Sequence, residues 1–381
     1  MTPRSVNALR VAIVHDWLVV HGGAEKVLDE MLALFPQADL HALLCQMPGE
    51  PPRRYRGRPV RTSYVQRLPG GIAHYRHWLP LFPHAIRSLD LSAYDLVVSC
   101  SSCVAKGVRV HPHQRHVSYC FTPVRYAWDL REQYLDTAGF RGVARWGATR
   151  LLERLRRWDA GANDGVHRFV TLSHHIADRI RRCYGRESTV VYPPVDLSRF
   201  TPVAAPRHGF VTASRLVPYK LVPMLVRAFA AMPDCPLTVI GDGPDLAACR
   251  RAAQGHAHIR VLGHQSDAVL REELRRAEAF VFAALEDFGI APVEAQACGT
   301  PVIAYGVGGA AETVVDGVTG RFFRRQDEAA VREAVAAFRA GAPPSPAACR
   351  ANAARFSSAA FRAGMMAAVQ ESLAAPAEPR P

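Results

Sequence analysis

Lysine is scarce in this chain of 381 residues. The chain also lacks a long apolar run and a regular spacing of cysteines. No apolar stretch approaches the roughly 18 residues that a membrane-spanning helix needs. The apolar run at residues 11–14 is too short for a secretory signal, so we expect a cytoplasmic protein. Nine cysteines are scattered without the spacing of a disulfide scaffold or a zinc site. We therefore expect free, mostly buried thiols.

Positive charge is concentrated in the first half of the chain. The net charge is +13, and residues 1–200 contain 28 Lys and Arg against 17 Asp and Glu. Only Lys26, Lys106 and Lys220 are lysines; the other basic residues are arginines. A basic half implies an anionic partner, such as a nucleic acid, a phosphorylated substrate or an acidic membrane surface. No recognised nucleic-acid motif accompanies the charge, so we expect no nucleic-acid partner.

Strand-like and helix-like segments alternate along the chain, and the alternation starts twice. Short apolar runs such as residues 11–16 and 116–120 alternate with helical periodicity, and the same pattern begins again at residues 210–213. This alternation is typical of α/β domains built on parallel sheets.

The two arrays predict two domains. Residues 192–207 carry four prolines and little periodicity, so we interpret them as an inter-domain linker. We predict two doubly wound α/β domains, residues 1–200 and 201–381, that face each other across a cleft. A last helix at about residues 358–373 could pack back on the first domain.

Two glycine-containing turns could approach a ligand closely. Gly22 and Gly23 follow the first strand and open the first helix, whose N-terminal amides could bind a phosphate. A tight turn without a ligand explains this pair equally well. Gly241 and Gly243 follow a later strand and would admit a nucleoside, although a plain turn explains them almost as well.

A pair of cations follows the first strand of the second half. Arg215 and Lys220 are separated by Pro218, which prevents a helix between them. A guanidinium fork and a point charge together suit a diphosphate. The alternative is two solvated surface cations. We favour the binding site, because lysine is rare here and ligands bind at the carboxyl ends of parallel strands.

A segment with two glutamates is the most informative part of the sequence. Glu286 lies on a loop after a strand, and Glu294 lies inside the helix that begins near Ile290. Gly289 and Ile290 can give backbone amides to a phosphate at this helix N-terminus. The two carboxylates can accept hydrogen bonds from two sugars of one ligand. The alternative for Glu294 is a solvated helix face, but its neighbours are apolar.

The end of another first-half strand combines aromatic and polar residues. Phe121, Arg125, Tyr126 and Asp129 suit a sugar or a polyprenyl diphosphate acceptor, although composition alone favours ordinary packing. Residues 141–159 carry six arginines among Trp and Leu residues. They form either a basic amphipathic helix on a membrane surface or a core-facing helix with a solvated arginine face. The basic run at residues 53–61 is predicted to be a loop.

Together these segments resemble the retaining family 4 glycosyltransferases of the GT-B fold, over nearly the whole chain. Glu286 to Glu294 fits the family's E-x7-E motif, and Arg215 and Lys220 precede it at the expected distance. Residues 299–304 and 308–312 resemble the segments that follow the motif. The first half is most similar to bacterial mannosyltransferases of O-antigen and exopolysaccharide synthesis, through residues 15–18, 22–27, 105–108 and 122–129.

The resemblance implies GDP-mannose as the donor, no cofactor or metal ion, and a polyprenyl-diphosphate-linked acceptor at the inner face of the plasma membrane. It implies that Arg215 and Lys220 hold the donor diphosphate and that Glu294 binds the nucleotide ribose. Glu286 would lie near the transferred sugar. The glycine pair after the first strand would touch the phosphate.

One residue departs from the family pattern. Phe121 stands where related proteins often carry a histidine near the donor sugar, and phenylalanine cannot hydrogen-bond there. Phe121 therefore keeps open the alternative of a non-catalytic subunit of a polysaccharide assembly complex. Two others are a UDP-sugar donor on the same fold, since no residue identifies the base, and an enzyme that uses a sugar phosphate.

Overall fold

The computed structural model describes residues 6–70, 72–129, 131–137 and 139–375. The chain forms two compact units. Unit 2 is Pro193–Ala360, and unit 1 contains the chain before it together with the chain from Phe361 onward. The division therefore falls at Tyr192 rather than at residue 200. The last helix belongs mostly to unit 1, which agrees with the expectation that it packs back on the first domain.

Unit 1 is built on an eight-stranded sheet in the order β3-β4-β2-β1-β5-β6-β7-β8. Every neighbouring pair is parallel except β3 and β4. The strands are β1 (Val11–His15), β2 (Asp39–Ala42), β3 (Arg54–Tyr55), β4 (Arg58–Thr62), β5 (Leu96–Ser101), β6 (Arg115–Cys120), β7 (Arg168–Thr171) and β8 (Ser188–Val190). The central strands β1 and β5 are buried along their whole length, as their apolar runs predict.

Helices connect these strands, as the alternation predicts. They are α1 (Gly23–Leu34), α2 (Phe82–Arg87), α3 (Arg131–Thr137), α4 (Gly142–Gly161) and α5 (His174–Tyr184). Helix α5 shows clear end signals: the Ser173 hydroxyl accepts a hydrogen bond from the Ile176 amide, and Gly185 ends the helix in the left-handed conformation.

Unit 2 is a smaller unit with a six-stranded, wholly parallel sheet in the order β11-β10-β9-β12-β13-β14. Its strands are β9 (Phe210–Ala213), β10 (Leu237–Ile240), β11 (Ile259–Gly263), β12 (Ala279–Phe282), β13 (Val302–Tyr305) and β14 (Gly320–Phe323). Its helices are α6 (Val222–Ala230), α7 (Leu246–Ala253), α8 (Asp267–Arg276), α9 (Ile290–Ala297), α10 (Ala310–Thr313), α11 (Glu328–Ala340) and α12 (Pro346–Ala354).

The last helix, α13 (Ser358–Ala374), packs on unit 1 from Phe361 onward. The ring centres of Phe361 and Tyr119 are 5.7 Å apart. Arg362 pairs with Glu30 of α1 at 2.6 Å. The C-terminal helix is therefore part of the core of unit 1.

The proline-rich segment after Tyr192 is not a free linker. Val195 and Phe200 are 2% and 5% exposed, so both are buried in unit 2. The Val195 amide donates to the Phe356 carbonyl at 2.8 Å, and the Arg350 guanidinium donates to the Leu197 carbonyl at 2.8 Å. The division between the units falls at the start of this segment, as the interpretation as an inter-domain linker predicts, but the segment itself is anchored in unit 2, because prolines remove periodicity without preventing such contacts.

The basic run at residues 53–61 is not a plain loop. It forms the edge strand β3 and its neighbour β4, joined by a turn in which Arg56 has a φ of 50°. Each strand buries a single residue, Tyr55 in β3 and Val60 in β4, so the sequence lacks the apolar alternation that would predict a strand. The cysteines agree with the prediction, since all nine are free and only Cys183 is partly exposed. Among the described residues, no helix is long and apolar enough to cross a lipid bilayer.

A fully buried ion pair joins α4 to the loop after β5. The side chains of Lys106 and Asp159 are 1% and 0% exposed, and the ammonium pairs with the carboxylate. The Trp128 indole and the Tyr184 hydroxyl each donate to the other carboxylate oxygen at 2.8 Å. Burial raises the pKa of Tyr184, which keeps its hydroxyl protonated as a donor. The buried carboxylate is thus satisfied on both oxygens.

Removing the lysine should leave Asp159 as an uncompensated buried charge. We expect Lys106→Met to lower the free energy of unfolding of unit 1 by about 3–5 kcal/mol. All five tryptophans lie in unit 1, so tryptophan fluorescence in a urea titration reports this unit. Arg154→Met, on the exposed side of α4, is the control and should change stability by no more than about 0.5 kcal/mol. Equal stability of the two variants would contradict the prediction.

Candidate functional site

Two loops of unit 2 leave neighbouring strands at the same edge of the sheet. Strands β9 and β12 pair in parallel, with Phe210 opposite Ala279. The loop after β9 carries Arg215 and Lys220, and the loop after β12 carries Glu286. The Lys220 ammonium forms an ion pair with the Glu286 carboxylate. The fold thus brings together two predicted site residues that are 66 positions apart in the sequence.

This ion pair is largely shielded from water. The Lys220 and Glu286 side chains are 12% and 21% exposed, and the Lys220 ammonium lies 5.5 Å from the centre of the Phe282 ring. Arg215 is exposed on the same loop. Ser214, just before it, has a buried hydroxyl oxygen without a hydrogen-bond partner among the described residues. An anion that bound here would meet one positioned cation and one accessible cation, in surroundings that strengthen electrostatic attraction.

Gly241 and Gly243 hold the cationic loop in place. Their φ angles are 140° and 148°, and a Cβ on either would overlap the carbonyl oxygen of Ser214 or of Leu216. The Leu216 amide also donates to the Asp242 backbone carbonyl at 2.8 Å. The sequence related these glycines to a nucleoside. The structure gives them a different partner, the backbone of the Arg215 loop, and contact with a nucleoside stays a prediction.

A second pair of glycines fixes the loop that carries Glu286. The Gly309 amide donates to the Glu286 carbonyl at 2.8 Å. A Cβ on Gly309 would overlap the Phe288 backbone, and one on Gly308 would lie 2.7 Å from the Glu286 carbonyl oxygen. The two loops of the candidate site are therefore each held by glycine-containing backbone.

Helix α9 begins directly after this loop. Gly289 precedes it with a φ of 84°, and no side chain caps the helix, which starts at Ile290. The first amides of a helix have no partner inside it, so they are suited to an anion. Glu294 is 8% exposed, which contradicts the alternative of a solvated helix face. Buried neighbours surround it in sequence: Pro292, Val293 and Ala295.

The glycine pair of unit 1 has an internal explanation. The Gly22 amide donates to the Glu25 carboxylate at 2.8 Å, which caps the start of α1. A Cβ on Gly22 would lie 3.2 Å from the same carboxylate oxygen. Glycine at this position therefore leaves room for the capping carboxylate, and the Gly22 amide is already used. Binding of a phosphate by Gly22 and Gly23 stays a prediction.

The predicted acceptor residues of unit 1 mainly contact protein. Tyr126 and Cys103 are hydrogen-bonded at 2.8 Å, and Asp129 pairs with the buried Arg179 at 2.7 Å. Burial raises the pKa of the Tyr126 phenol, which stays protonated. These contacts agree with the packing that composition favours. Phe121 is buried in the same region.

The remaining acceptor candidate is half-buried. Arg125 follows Val124, which packs with Ala127 and Leu155 in a small apolar cluster between this segment and α4. The segment is therefore fastened to α4 through apolar contacts on either side of Arg125. A role for Arg125 in binding an acceptor stays a prediction.

Sequence reasoning missed the strongest polar anchor of unit 1. Asp16 is 1% exposed and follows β1. Its carboxylate accepts hydrogen bonds at 2.6–3.0 Å from the hydroxyl of Ser102 and from the amides of Ser102, Cys103, Val104 and Ala105. An acidic residue directly after a buried strand was the available signal. Asp16 fixes the loop that leads to Lys106.

Helix α4 has a core face and an exposed basic face, and its contact with a membrane stays a prediction. Its C-terminal half packs inward through Leu152 and Leu155. Its N-terminal half exposes two large apolar side chains, Val143 at 85% and Trp146 at 63%. The basic residues of the helix are exposed along most of its length. One helix therefore presents a basic, partly apolar surface and also a core face.

The described part of the chain contains no cluster of side chains that could hold a metal ion. No three His, Cys, Asp or Glu side chains are grouped there as ligands for a metal ion. A metal-independent reaction stays a prediction.

Two sequence families match most of the chain. Residues 21–199 match Glycosyltransferase Family 4, and residues 201–356 match Glycosyl transferases group 1. The chain belongs to the family 4 glycosyltransferases. The boundary between the two matched regions lies close to the start of unit 2.

Solved structures show the GT-B fold for this glycosyltransferase chain. Sucrose-phosphate synthase from Thermosynechococcus elongatus superimposes with a TM-score of 0.71 over 96% of this chain and 100% of that one, at 19% identity. The Anabaena protein HepE, solved with UDP and glucose, gives a TM-score of 0.67 over 95% and 99%, at 16% identity. Each sheet with its helices is Rossmann-like, which is the GT-B pattern of the prediction.

Curated relatives match part of the chain at higher identity. A GDP-mannose-dependent phosphatidylinositol monomannoside mannosyltransferase of Mycolicibacterium smegmatis is 34% identical over 196 residues, 43% of this chain and 50% of the relative. A D-inositol 3-phosphate glycosyltransferase of a Mycobacterium species is 38% identical over 151 residues, 34% of each chain. The matches thus span half or less of these relatives.

The close contact between Gly241 and the Ser214 backbone predicts that a larger residue at position 241 lowers the stability. We expect Gly241→Ala to lower the free energy of unfolding by at least about 3 kcal/mol, because strain at positive φ adds to overlap with Ser214. Gly255→Ala is the control: its φ is 81°, but its Cβ would meet nothing within 4 Å. It should cost about 1–2 kcal/mol. Calorimetry measures both, and similar losses would refute the explanation by overlap.

Proposed function

We propose that this protein is a retaining α-mannosyltransferase that moves mannose from GDP-mannose to a lipid-linked oligosaccharide in bacterial surface polysaccharide synthesis. The observation that carries the proposal is the Lys220–Glu286 pair beside Arg215, at the carboxyl edge of the unit 2 sheet. The GDP-mannose-dependent mannosyltransferase among the relatives supports the choice of donor.

The donor would bind through groups of unit 2 that suit a sugar nucleotide. Arg215 and Lys220 would hold the diphosphate, with amides at the start of α9, at Gly289 and Ile290, as further donors. The buried carboxylate of Glu294 would accept hydrogen bonds from the ribose hydroxyls. The diphosphate and the ribose of the nucleotide would then each meet groups of matching chemistry.

The reaction would exchange one bond at the anomeric carbon of mannose. The bond to the diphosphate oxygen breaks, and the acceptor hydroxyl forms the new bond on the same face of the sugar. The departing diphosphate takes the proton of the acceptor. Arg215 and Lys220 stabilise the charge that develops on the diphosphate, and Glu286 lies near the transferred sugar. The proposal requires no metal ion or cofactor.

The acceptor side of the proposal depends on the charge of unit 1. Residues 1–200 carry the excess of arginine, and α4 exposes Val143 and Trp146 beside it. Such a surface suits the anionic face of a bilayer, where aromatic side chains insert and arginines meet lipid phosphates. A polyprenyl-diphosphate-linked acceptor would then be reached from the inner face of the plasma membrane.

Thermal unfolding with nucleotides tests the donor. Purified protein in EDTA should melt at a higher temperature with GDP than with UDP or ADP, since a ligand at 100 times its Kd adds about 2.7 kcal/mol. Arg215→Ala and Lys220→Ala should abolish the shift and lower the transfer rate by ~10²-fold or more. Arg227→Ala is the control, because Arg227 is an exposed arginine on α6 that pairs with Glu328.

The outcomes separate the alternatives. A shift with UDP instead of GDP would move the donor to a UDP-sugar and keep the transferase. No shift with any nucleotide would contradict the proposal and favour a non-catalytic subunit, the alternative that Phe121 raises. Unchanged transfer by the Arg215 and Lys220 variants would refute their assignment.

Vesicle sedimentation tests the membrane surface. We expect binding to anionic vesicles at low salt and loss of binding at high salt, because surface charges are screened. The double variant Val143→Ser, Trp146→Ser should bind several-fold more weakly. Val318→Ser, which removes an exposed apolar side chain of unit 2, should bind like the unmodified protein. Absence of binding at low salt would remove the membrane surface from the proposal.

A further inference from the structure

A histidine at the carboxyl end of β1 is buried without any hydrogen bond to its ring. His15 is 4% exposed, and neither Nδ1 nor Nε2 has a partner among the described residues. Other buried histidines of unit 1 have at least one ring hydrogen bond: His41 Nε2 is bonded to the Tyr94 hydroxyl at 3.1 Å, although its Nδ1 has no partner among the described residues, and His116 Nε2 is bonded to the Ser99 hydroxyl at 2.8 Å. Buried polar groups are nearly always paired, so His15 requires an explanation.

The rings around His15 offer it no polar partner. In the sheet, His15 lies opposite Cys100, which lies opposite Tyr119, so these residues share one face. Phe121 follows on the same face, and its ring centre is 6.5 Å from that of His15. The Tyr119 hydroxyl donates to the Val191 carbonyl at 2.9 Å. The imidazole therefore lies beside aromatic carbon.

The polar groups next to His15 in the chain are already used. The Asp16 carboxylate accepts the hydrogen bonds of the loop after β5. The Gly22 amide, at the start of the helix that follows β1, donates to Glu25. Neither group needs His15, and His15 lies at the edge of a parallel sheet where ligands bind.

We propose that His15 binds a hydroxyl group of a sugar ligand at this edge of unit 1. A neutral imidazole donates from one nitrogen and accepts at the other, which matches neighbouring hydroxyls of a sugar. Phe121 beside it supplies the apolar surface that ligand sites combine with a few polar groups. The inference rests on the proposed function, which provides two sugars: the transferred sugar of the donor and the acceptor glycan.

Stability distinguishes ligand binding from a structural role. His15→Phe keeps a buried ring and removes both unpartnered nitrogens, so its melting temperature should equal or exceed that of the unmodified protein. His41→Phe is the matched control, because it removes a bonded imidazole from the same unit and should melt lower. Tryptophan fluorescence reports both variants. A lower melting temperature for His15→Phe would overturn the proposal, because it would show that the imidazole supports the fold.

Binding measurements identify the sugar. If His15 contacts the donor sugar, His15→Phe should weaken GDP-mannose about tenfold and leave GDP unchanged. If it contacts the acceptor, both nucleotides should bind as before, while binding of octyl α-mannoside in the presence of GDP falls about tenfold. His15→Gln, whose amide also donates and accepts, should retain more affinity than His15→Phe.

Two results would overturn the assignment: unchanged binding of all three probes by His15→Phe, or equal loss in the Gln and Phe variants. Failure of the proposed function looks different, because the unmodified protein would then bind neither GDP nor GDP-mannose. The melting temperatures and the octyl α-mannoside measurement would still decide the role of His15.

Discussion

Parallel pairing between β9 and β12 is the constraint on which the candidate site of unit 2 depends. Because neighbouring parallel strands end at one edge of the sheet, residues far apart in sequence meet there. Lys220 and Glu286 form their ion pair for this reason. The pair keeps an ammonium group in a partly dehydrated position before a ligand arrives, and a diphosphate carries more negative charge than the single carboxylate with which it would compete.

Backbone rather than side chains gives this site its precision. Gly241 and Gly243 fix the cationic loop, and Gly308 and Gly309 fix the loop of Glu286, each at a place where a Cβ would collide with neighbouring backbone. Binding groups need such support to stay within a fraction of an ångström of a useful geometry. The glycines are therefore explained by the site even without direct contact with a ligand.

Local patterns predicted what depends on local sequence, and failed where distant contacts decide. The apolar runs indicated the central strands, and the apolar neighbours of Glu294 indicated its burial. The edge strand β3 and its neighbour β4 were not predicted, because each buries only one residue. The anchoring of the proline-rich segment after Tyr192 was not predicted, because it depends on Arg350, which is distant in the sequence. The ion pair between Lys106 and Asp159 was not predicted, because the sequence near either residue gives no indication of its partner.

Two adjacent residues at the end of β1 have opposite surroundings. The loop after β5 donates hydrogen bonds to the carboxylate of Asp16, whereas neither ring nitrogen of His15 has a partner among the described residues. An unsatisfied buried polar group costs about 1–3 kcal/mol, and a phenylalanine of similar ring size would avoid that cost. The polar groups next to His15 in the chain, Asp16 and Gly22, are hydrogen-bonded to other partners, so neither of them satisfies its imidazole. A ligand would supply the hydrogen bonds that the imidazole lacks.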